Sequence, residues 1–340
     1  MRIVVDAMGG DAGPRVNVQG ALEALRTYPD LSVTLAGREE ELRAHLGAHE
    51  DVAGRLTLLH TPDVIGMHEA PVMAIRRKPR SSIVEGLMLV KNREADAFVS
   101  AGSTGAVLAG GMFKVGRVEG IERPALAALF PMRRRESLII DIGANVDCQA
   151  DWLVQFALMG SIYMRRMRNV ENPEVALINI GAEEEKGNEL AKQAHQLLKR
   201  PGQPYRFIGN AEARELPEGV ADVLVCDGYV GNVILKFMEG TVKTLFSIVK
   251  DGLMETARGK AAGALAKPTF KRILAGMDAT EVGGTPFLGV DGVVVKAHGN
   301  SNARAIFAAI RQTRLMVESR VVDIISEEVG RLIPPGASQA

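Results

Sequence analysis

Lys186, Asn232 and His298 each stand shortly beyond an apolar run, in a polar, glycine-bearing turn. An ammonium and an amide N–H placed this way can stabilise a developing oxyanion, which suits acyl transfer. His298 is the one histidine of six that falls in such a turn. A fourth turn, Ser100-Ala-Gly-Ser-Thr-Gly105, follows a strand and precedes a helical pattern. Gly102 and Gly105 permit close backbone approach, while Ser103 and Thr104 suit a helix cap, so this turn is read as a cradle for a phosphate-like anion. The same turn is one residue short of a nucleophile elbow, because Ala101 stands where that motif needs glycine. The acids Asp6, Asp11, Asp141 and Asp227 sit in matching turns and are read as turn and helix anchors in preference to magnesium ligands.

Six strand–turn–helix units must position these residues. Their turns are Asp6–Asp11, Ser100–Gly105, Asp141–Asn145, Asn179–Asn188, Asp227–Asn232 and Ala297–Ser301. Alternation of this kind predicts an α/β fold, a three-layer α/β/α sandwich on a mainly parallel sheet. The expectation is that all six turns share one sheet edge, where open α/β sheets bind ligands. Strands are expected at Ile3–Val5, Ser32–Ala36, Leu56–Leu59, Ala97–Val99, Ala125–Phe130, Leu138–Ile140, Val175–Ile178, Tyr205–Ile208, Val223–Val225 and Val293–Val295. Trp152, Phe156, Met159, Tyr163 and Met167 fall on one helical face, as do Ile306, Ile310, Thr313 and Val317, and both stripes are read as core. Residues 1–335 are taken as one domain with a helical excursion over about 235–280. In that excursion Thr256–Met277 carries five basic residues and no acid, interspersed with Leu265, Phe270, Ile273 and Leu274. The pattern fits a solvated hairpin or dimer contact, or a basic amphipathic surface for an anionic bilayer.

Composition narrows the classes. Of 340 residues, 46% are hydrophobic, enough for a sizeable core, and Lys+Arg balances Asp+Glu at 41 each, so nothing global argues for nucleic acid. Two cysteines argue against a disulfide framework and for a reducing compartment. No two glycines are separated by exactly one residue, which removes the G-x-G-x-x-G dinucleotide fingerprint, and no P-loop occurs. No C-x-x-C or H-E-x-x-H marks a metal site.

Taken together, the motifs resemble the PlsX family of bacterial phosphate acyltransferases. The residues that carry the resemblance are Asp6-Ala-Met-Gly-Gly-Asp11, Ala74-Ile-Arg-Arg-Lys-Pro79, the Ser100 and Asp141 turns, Gln155-Phe-Ala157, Lys186-Gly-Asn188, Asp227-Gly228 with Gly231-Asn-Val233, and Lys296-Ala-His-Gly299. The match spans residues 1 to about 325, and Ala182 departs from it where a hydroxyl residue is expected. The resemblance implies transfer of a long-chain acyl group from acyl carrier protein to inorganic phosphate, for phospholipid synthesis. It implies a fold like that of phosphate acetyltransferases and the isocitrate dehydrogenase group, no cofactor, a homodimer, and a cytoplasmic protein peripheral to the inner membrane, near a downstream glycerol-phosphate acyltransferase. The family's functional lysine and asparagine fall on Lys186 and Asn232, with His298 a secondary candidate for protonating the leaving thiolate. Asp6, Gly102, Ser103, Thr104, Gly105, Asn145, Asp227 and Gly231 are assigned to phosphate and acyl binding. Acyl carrier protein is acidic, so it needs a basic face: Arg76, Arg77 and Lys78 with Arg80, or Arg133–Arg135, or Arg165, Arg166 and Arg168. The runner-up reading is a phosphate acetyltransferase-like enzyme that uses a small acyl-CoA.

Overall fold

A computed structural model describes residues 1–277 and 283–332, except for the side chains of 271, 272, 274–277 and 332. The side chain of Leu274 therefore lies outside the described residues, as do 333–335 at the end of the expected domain. The strands are β1 (Arg2–Asp6), β2 (Ser32–Gly37), β3 (Leu56–His60), β4 (Ala97–Ser100), β5 (Ala125–Pro131), β6 (Glu136–Ile140), β7 (Glu174–Asn179), β8 (Arg206–Glu212), β9 (Val223–Val225), β10 (Thr285–Leu288) and β11 (Val293–Lys296). They form one eleven-stranded sheet in the order β3-β2-β1-β4-β11-β10-β5-β6-β9-β7-β8. All ten expected runs lie in or overlap these strands; β10 was not foreseen.

Strand residues alternate between two apolar layers, as the pleat requires. Ile3, Val5, Ala97, Val99, Val293, Val295, Leu138, Ile140, Val223 and Val225 face one core. Val4, Phe98, Val294, Ile139 and Leu224 face the other. The first core is covered by α1 (Pro14–Thr27), α6 (Ala150–Arg168), α7 (Glu189–Leu198) and α10 (Ala303–Glu318), the second by α3 (Pro71–Arg77), α4 (Ser82–Lys91) and α5 (Thr104–Gly110). The helical stripes through Phe156 and Ile310 are core, as expected. This is the α/β sandwich.

The sheet has two halves that run in opposite directions. β1, β2, β3, β4 and β11 are mutually parallel, and so are β6, β9, β7 and β8. Between them β10 is antiparallel to both β11 and β5, and β5 is antiparallel to β6. Three reversals leave β6 opposed to β11. The expectation of a single shared edge is therefore wrong. The turns after β1, β4 and β11 lie at one edge, and those after β6, β7 and β9 at the other.

The helical excursion is a pair, α8 (Gly228–Met254) and α9 (Ala257–Met277). Asp227 caps α8 by accepting from the Val230 N–H at 2.7 Å. Of the whole of α8 only Gly228 and Gly231 are fully buried, so most of its length stands off the sheet.

Candidate active site

At the first edge, three strand ends bring buried polar groups into one row. Asp6, Ser100 and Lys296 are the last residues of β1, β4 and β11 and pair in register across the three strands. All three side chains are buried. Ser100 Oγ donates to Asp6 Oδ2 at 2.6 Å and accepts from the Gly102 N–H at 2.9 Å. Burial raises the Asp6 carboxyl above its ordinary range, against the lowering effect of the Ser100 bond. Lys296 Nζ donates to the carbonyl of Ala101 at 3.3 Å and to that of Ala297. Burial pushes this ammonium down to about 8, with Asp6 and Asp11 acting the other way.

Around this row the turns pack backbone to backbone. A Cβ on Gly9 would lie 2.5 Å from the Gly102 nitrogen, and the Asp11 N–H donates to the Gly299 carbonyl at 2.7 Å. Ser103 Oγ caps α5 by accepting from the Ala106 N–H at 3.5 Å. The first backbone bond of that helix runs from Val107 N–H to Ser103, which leaves the preceding N–H groups of Thr104 and Gly105 without helical partners. Thr104 and Gly105 are partly exposed, whereas Gly102 and Ser103 are buried. Gly102 thus shapes the turn, and its own N–H is taken by Ser100. His298 is exposed at the third turn, and its Nδ1 accepts from the Asn300 N–H at 3.3 Å, so a neutral ring carries its proton on Nε2.

At the opposite edge, the buried Asp141 carboxylate accepts from the N–H groups of Leu126, Gly143, Ala144 and Asn145 and from Asn145 Nδ2. Asn145 Nδ2 also donates to the Pro124 carbonyl at 2.9 Å, so both of its amide protons hold the turn. Gly228 N–H donates to the Asn145 carbonyl at 2.7 Å. Asn145, Asp227 and Gly231 together seat the start of α8 on the β6 turn. Asn232, exposed on α8, comes within 3.7 Å of where a Cβ on Gly143 would be. One turn further along α8, Lys236 is close enough to influence the Lys296 charge. The helix therefore leads from one edge of the sheet towards the other.

Lys186 lies in the loop after β7, before α7 rather than at its first residue. Its side chain is exposed and makes no hydrogen bond or ion pair among the described residues; its carbonyl accepts from Asn179 Nδ2 at 3.0 Å. The loop is tied by Asn210, whose Nδ2 donates to the Glu183 carbonyl at 2.7 Å while its Oδ1 meets Nδ1 of the buried His195 at 2.9 Å.

The three basic clusters differ in how their charge is used. Arg133 and Arg134 pair with Glu218, and Arg135 with Glu174 and Asp222. Arg165 pairs with Glu328 and Arg168 with Glu136, while Arg166 donates to the Ser319 carbonyl. Lys78 pairs with Glu69 at 2.7 Å. Arg76 and Arg77 are exposed and have no ion pair among the described residues. They end α3, whose Pro71 packs on the cradle, 2.6 Å from where a Cβ on Gly105 would be.

Reasoning from the sequence missed Lys296 as a site residue. The available signal was a charged residue closing the otherwise apolar strand Val293-Val-Val-Lys296. Leu265 and Ile273 are exposed on α9, but Phe270 packs edge-to-face on Phe246 at 6.1 Å. Phe237 and Ile248 on α8 are more exposed than Ile273.

The fold is an α/β sandwich of the architecture seen in phosphotransacetylases. A phosphotransacetylase from Streptococcus pyogenes superposes with a TM-score of 0.62 at 18% identity, covering 95% of this chain and 94% of that one. A branched-chain phosphotransacylase from Enterococcus faecalis gives 0.56 at 14% identity, covering 93% and 99%. The family described as "Fatty acid synthesis protein" matches residues 1–324. A phosphate acyltransferase of Clostridium botulinum (strain Loch Maree / Type A3) is 46% identical over 98% of this chain and 99% of its own length. That of Bacillus cereus (strain B4264) is 49% identical over 96% and 97%. The chain belongs to this family, the phosphate acyltransferases, and is an enzyme of the transferase class.

Proposed function

We propose that this enzyme transfers a long-chain acyl group from acyl carrier protein to inorganic phosphate, giving acyl phosphate for phospholipid synthesis. The carrying observation is that the Ser100–Gly105 turn, with its partly exposed Thr104 and Gly105, packs against the helix that ends in Arg76 and Arg77, which have no ion pair among the described residues. An anion cradle and a basic face for an acidic carrier protein thus adjoin.

In the reaction, phosphate rests on the turn from Gly102 to Gly105 and one of its oxygens attacks the thioester carbonyl. A C–O bond forms, the carbonyl π electrons move onto oxygen, and the tetrahedral intermediate collapses with cleavage of the C–S bond. The proton of hydrogen phosphate is passed to the carrier thiolate, a transfer for which His298 is the candidate relay. Lys186 and Asn232 are the proposed oxyanion donors; they stand at the opposite sheet edge from the cradle, so this assignment requires the two edges to meet across the homodimer. Phosphate is already a nucleophile at neutral pH, so positioning carries most of the rate. Asp6 acts through Ser100 on the cradle, and Asn145, Asp227 and Gly231 act by seating Asn232. No cofactor takes part.

The chain works as a single-domain subunit of a homodimer, cytoplasmic and peripheral to the inner membrane, where the labile product passes to a glycerol-phosphate acyltransferase. No helix among the described residues is long and apolar enough to cross a membrane. The exposed apolar residues of α8 and α9, with the acid-free basic stretch of α9, support a surface contact. The deciding experiment is thiol release from acylated carrier protein on addition of phosphate. Release from a small acyl-CoA with none from the carrier would instead establish the acetyltransferase-like reading.

A further inference from the structure

Lys296 is a buried ammonium that the mechanism above does not use. Only 6% of the residue is exposed, although an ammonium is costly to bury without compensating charge and hydrogen bonds. Its Nζ has three protons. Two meet the carbonyls of Ala101 and Ala297, and the third has no partner among the described residues. No carboxylate lies within ion-pair distance of it among those residues. The charged and polar groups that face it are Asp6 from β1, Asp11 from the following turn, Ser100 from β4, Lys236 from α8, and His298 two residues on in its own turn. Burial raises the Asp6 carboxyl above its ordinary range, and its hydrogen bonds from Ser100 and the Met8 N–H act the other way. The ammonium thus sits behind the Ser100–Gly105 turn with Asp6 and Asp11 favouring its charge, with no ion pair among the described residues, and with one proton unpartnered.

We propose that Lys296 holds the phosphate, its third proton donating to an oxygen of the tetrahedral dianion while Asp6 and Ser100 fix the strand ends that aim it. This rests on the acyl-transfer reading for its substrate, though not for its anion. A lysine that merely ties two strand-end carbonyls together would leave anion affinity unchanged.

Sulfate is the probe, because it stays a dianion from pH 6 to 10 and so isolates the protein's own titration. In the wild-type protein, sulfate affinity measured by calorimetry is expected to be flat below pH 8 and to fall about tenfold per unit above about pH 8, as the ammonium is lost. In Lys296→Met that pH dependence should vanish, sulfate binding should drop at least about thirtyfold, and the KM for phosphate should rise as much with the KM for the acyl donor unchanged. Lys296→Arg should restore part of the affinity and bind sulfate without the loss above pH 8, since guanidinium stays charged. Wild-type affinity that is flat through pH 9.5, or a folded Lys296→Met protein that binds sulfate normally, overturns the proposal. If Lys296→Met does not fold, the wild-type titration alone decides. The two readings fail separately: sulfate binding with this pH profile but no phosphate-dependent thiol release would leave the anion site standing and remove the acyltransfer reading.

Discussion

Gly231 on α8 lies so close to Asp141 that a Cβ added to it would sit 1.9 Å from the Asp141 carbonyl oxygen. Asn232 is the next residue, so the position of its amide depends on this contact. Gly231→Ala must push the start of α8 away from the β6 turn. We expect a loss of about 1–3 kcal/mol in thermal or urea unfolding, the usual cost of overpacking. Turnover should fall by about 100-fold even where the protein remains folded, because roughly 1 Å of displacement is enough for that. A Gly231→Ala enzyme with normal turnover would show that Asn232 need not be held there.

Lys186 and Asn232 are both exposed, and the Lys186 side chain has no partner among the described residues. Their truncation should leave the melting temperature nearly unchanged. Lys186→Ala and Asn232→Ala are each expected to lower turnover by about 100–1000-fold, the effect of removing one oxyanion donor. Acyl phosphate formation near the normal rate in both variants would refute the assignment.

Charge reversal separates docking from architecture. Arg76→Glu with Arg77→Glu should raise the KM for acyl carrier protein, increasingly so at low salt, and leave the KM for phosphate alone. Arg135→Glu should instead destabilise the fold, because it places a third carboxylate beside Glu174 and Asp222. If the Arg76/Arg77 variant changes phosphate dependence, those arginines belong to the chemical site.

For the helical pair, Leu265 is the better probe of a membrane contact than Phe270: it is 84% exposed, whereas Phe270 is packed on Phe246. Leu265→Glu is expected to reduce flotation with vesicles of anionic phospholipid while leaving thiol release in solution intact. Phe237, 73% exposed on α8, should behave in the same way. Unchanged flotation of both variants would exclude this surface.

The strands were legible because each is a run of β-branched or aliphatic residues closed by a polar turn. β10 was not, since Thr285-Pro-Phe-Leu288 is short and contains a proline. That omission did not by itself misplace the turns: β10 is antiparallel to both β11 and β5, so those two run the same way, and it is the antiparallel β5–β6 hairpin that opposes β6 to β11 and sends three of the six turns to the other edge. The motifs that carry the proposed chemistry were legible in local spacing. The row Asp6–Ser100–Lys296 was not, because the register that unites it joins strands remote in sequence, and no periodicity within any one of them records it. Local patterns also do not reveal which arginines are already paired: Arg133 and Arg76 look alike until Glu218 is seen beside the first.

The insertion of β11 next to β4 also governs how the protein is made. Lys296 reaches the Ala101 carbonyl across 195 residues of chain. At a synthesis rate of about 5–20 residues per second, β4 waits on the order of 10–40 s on the ribosome before its neighbour exists. Throughout that interval the apolar edge of Ala97–Ser100 is open, and β1 and β4 have brought together only two members of the row Asp6–Ser100–Lys296. A nascent chain of this enzyme is therefore exposed to mispairing until β11 emerges, and a messenger truncated before Val293 yields protein with β4 unpaired on one side and without Lys296.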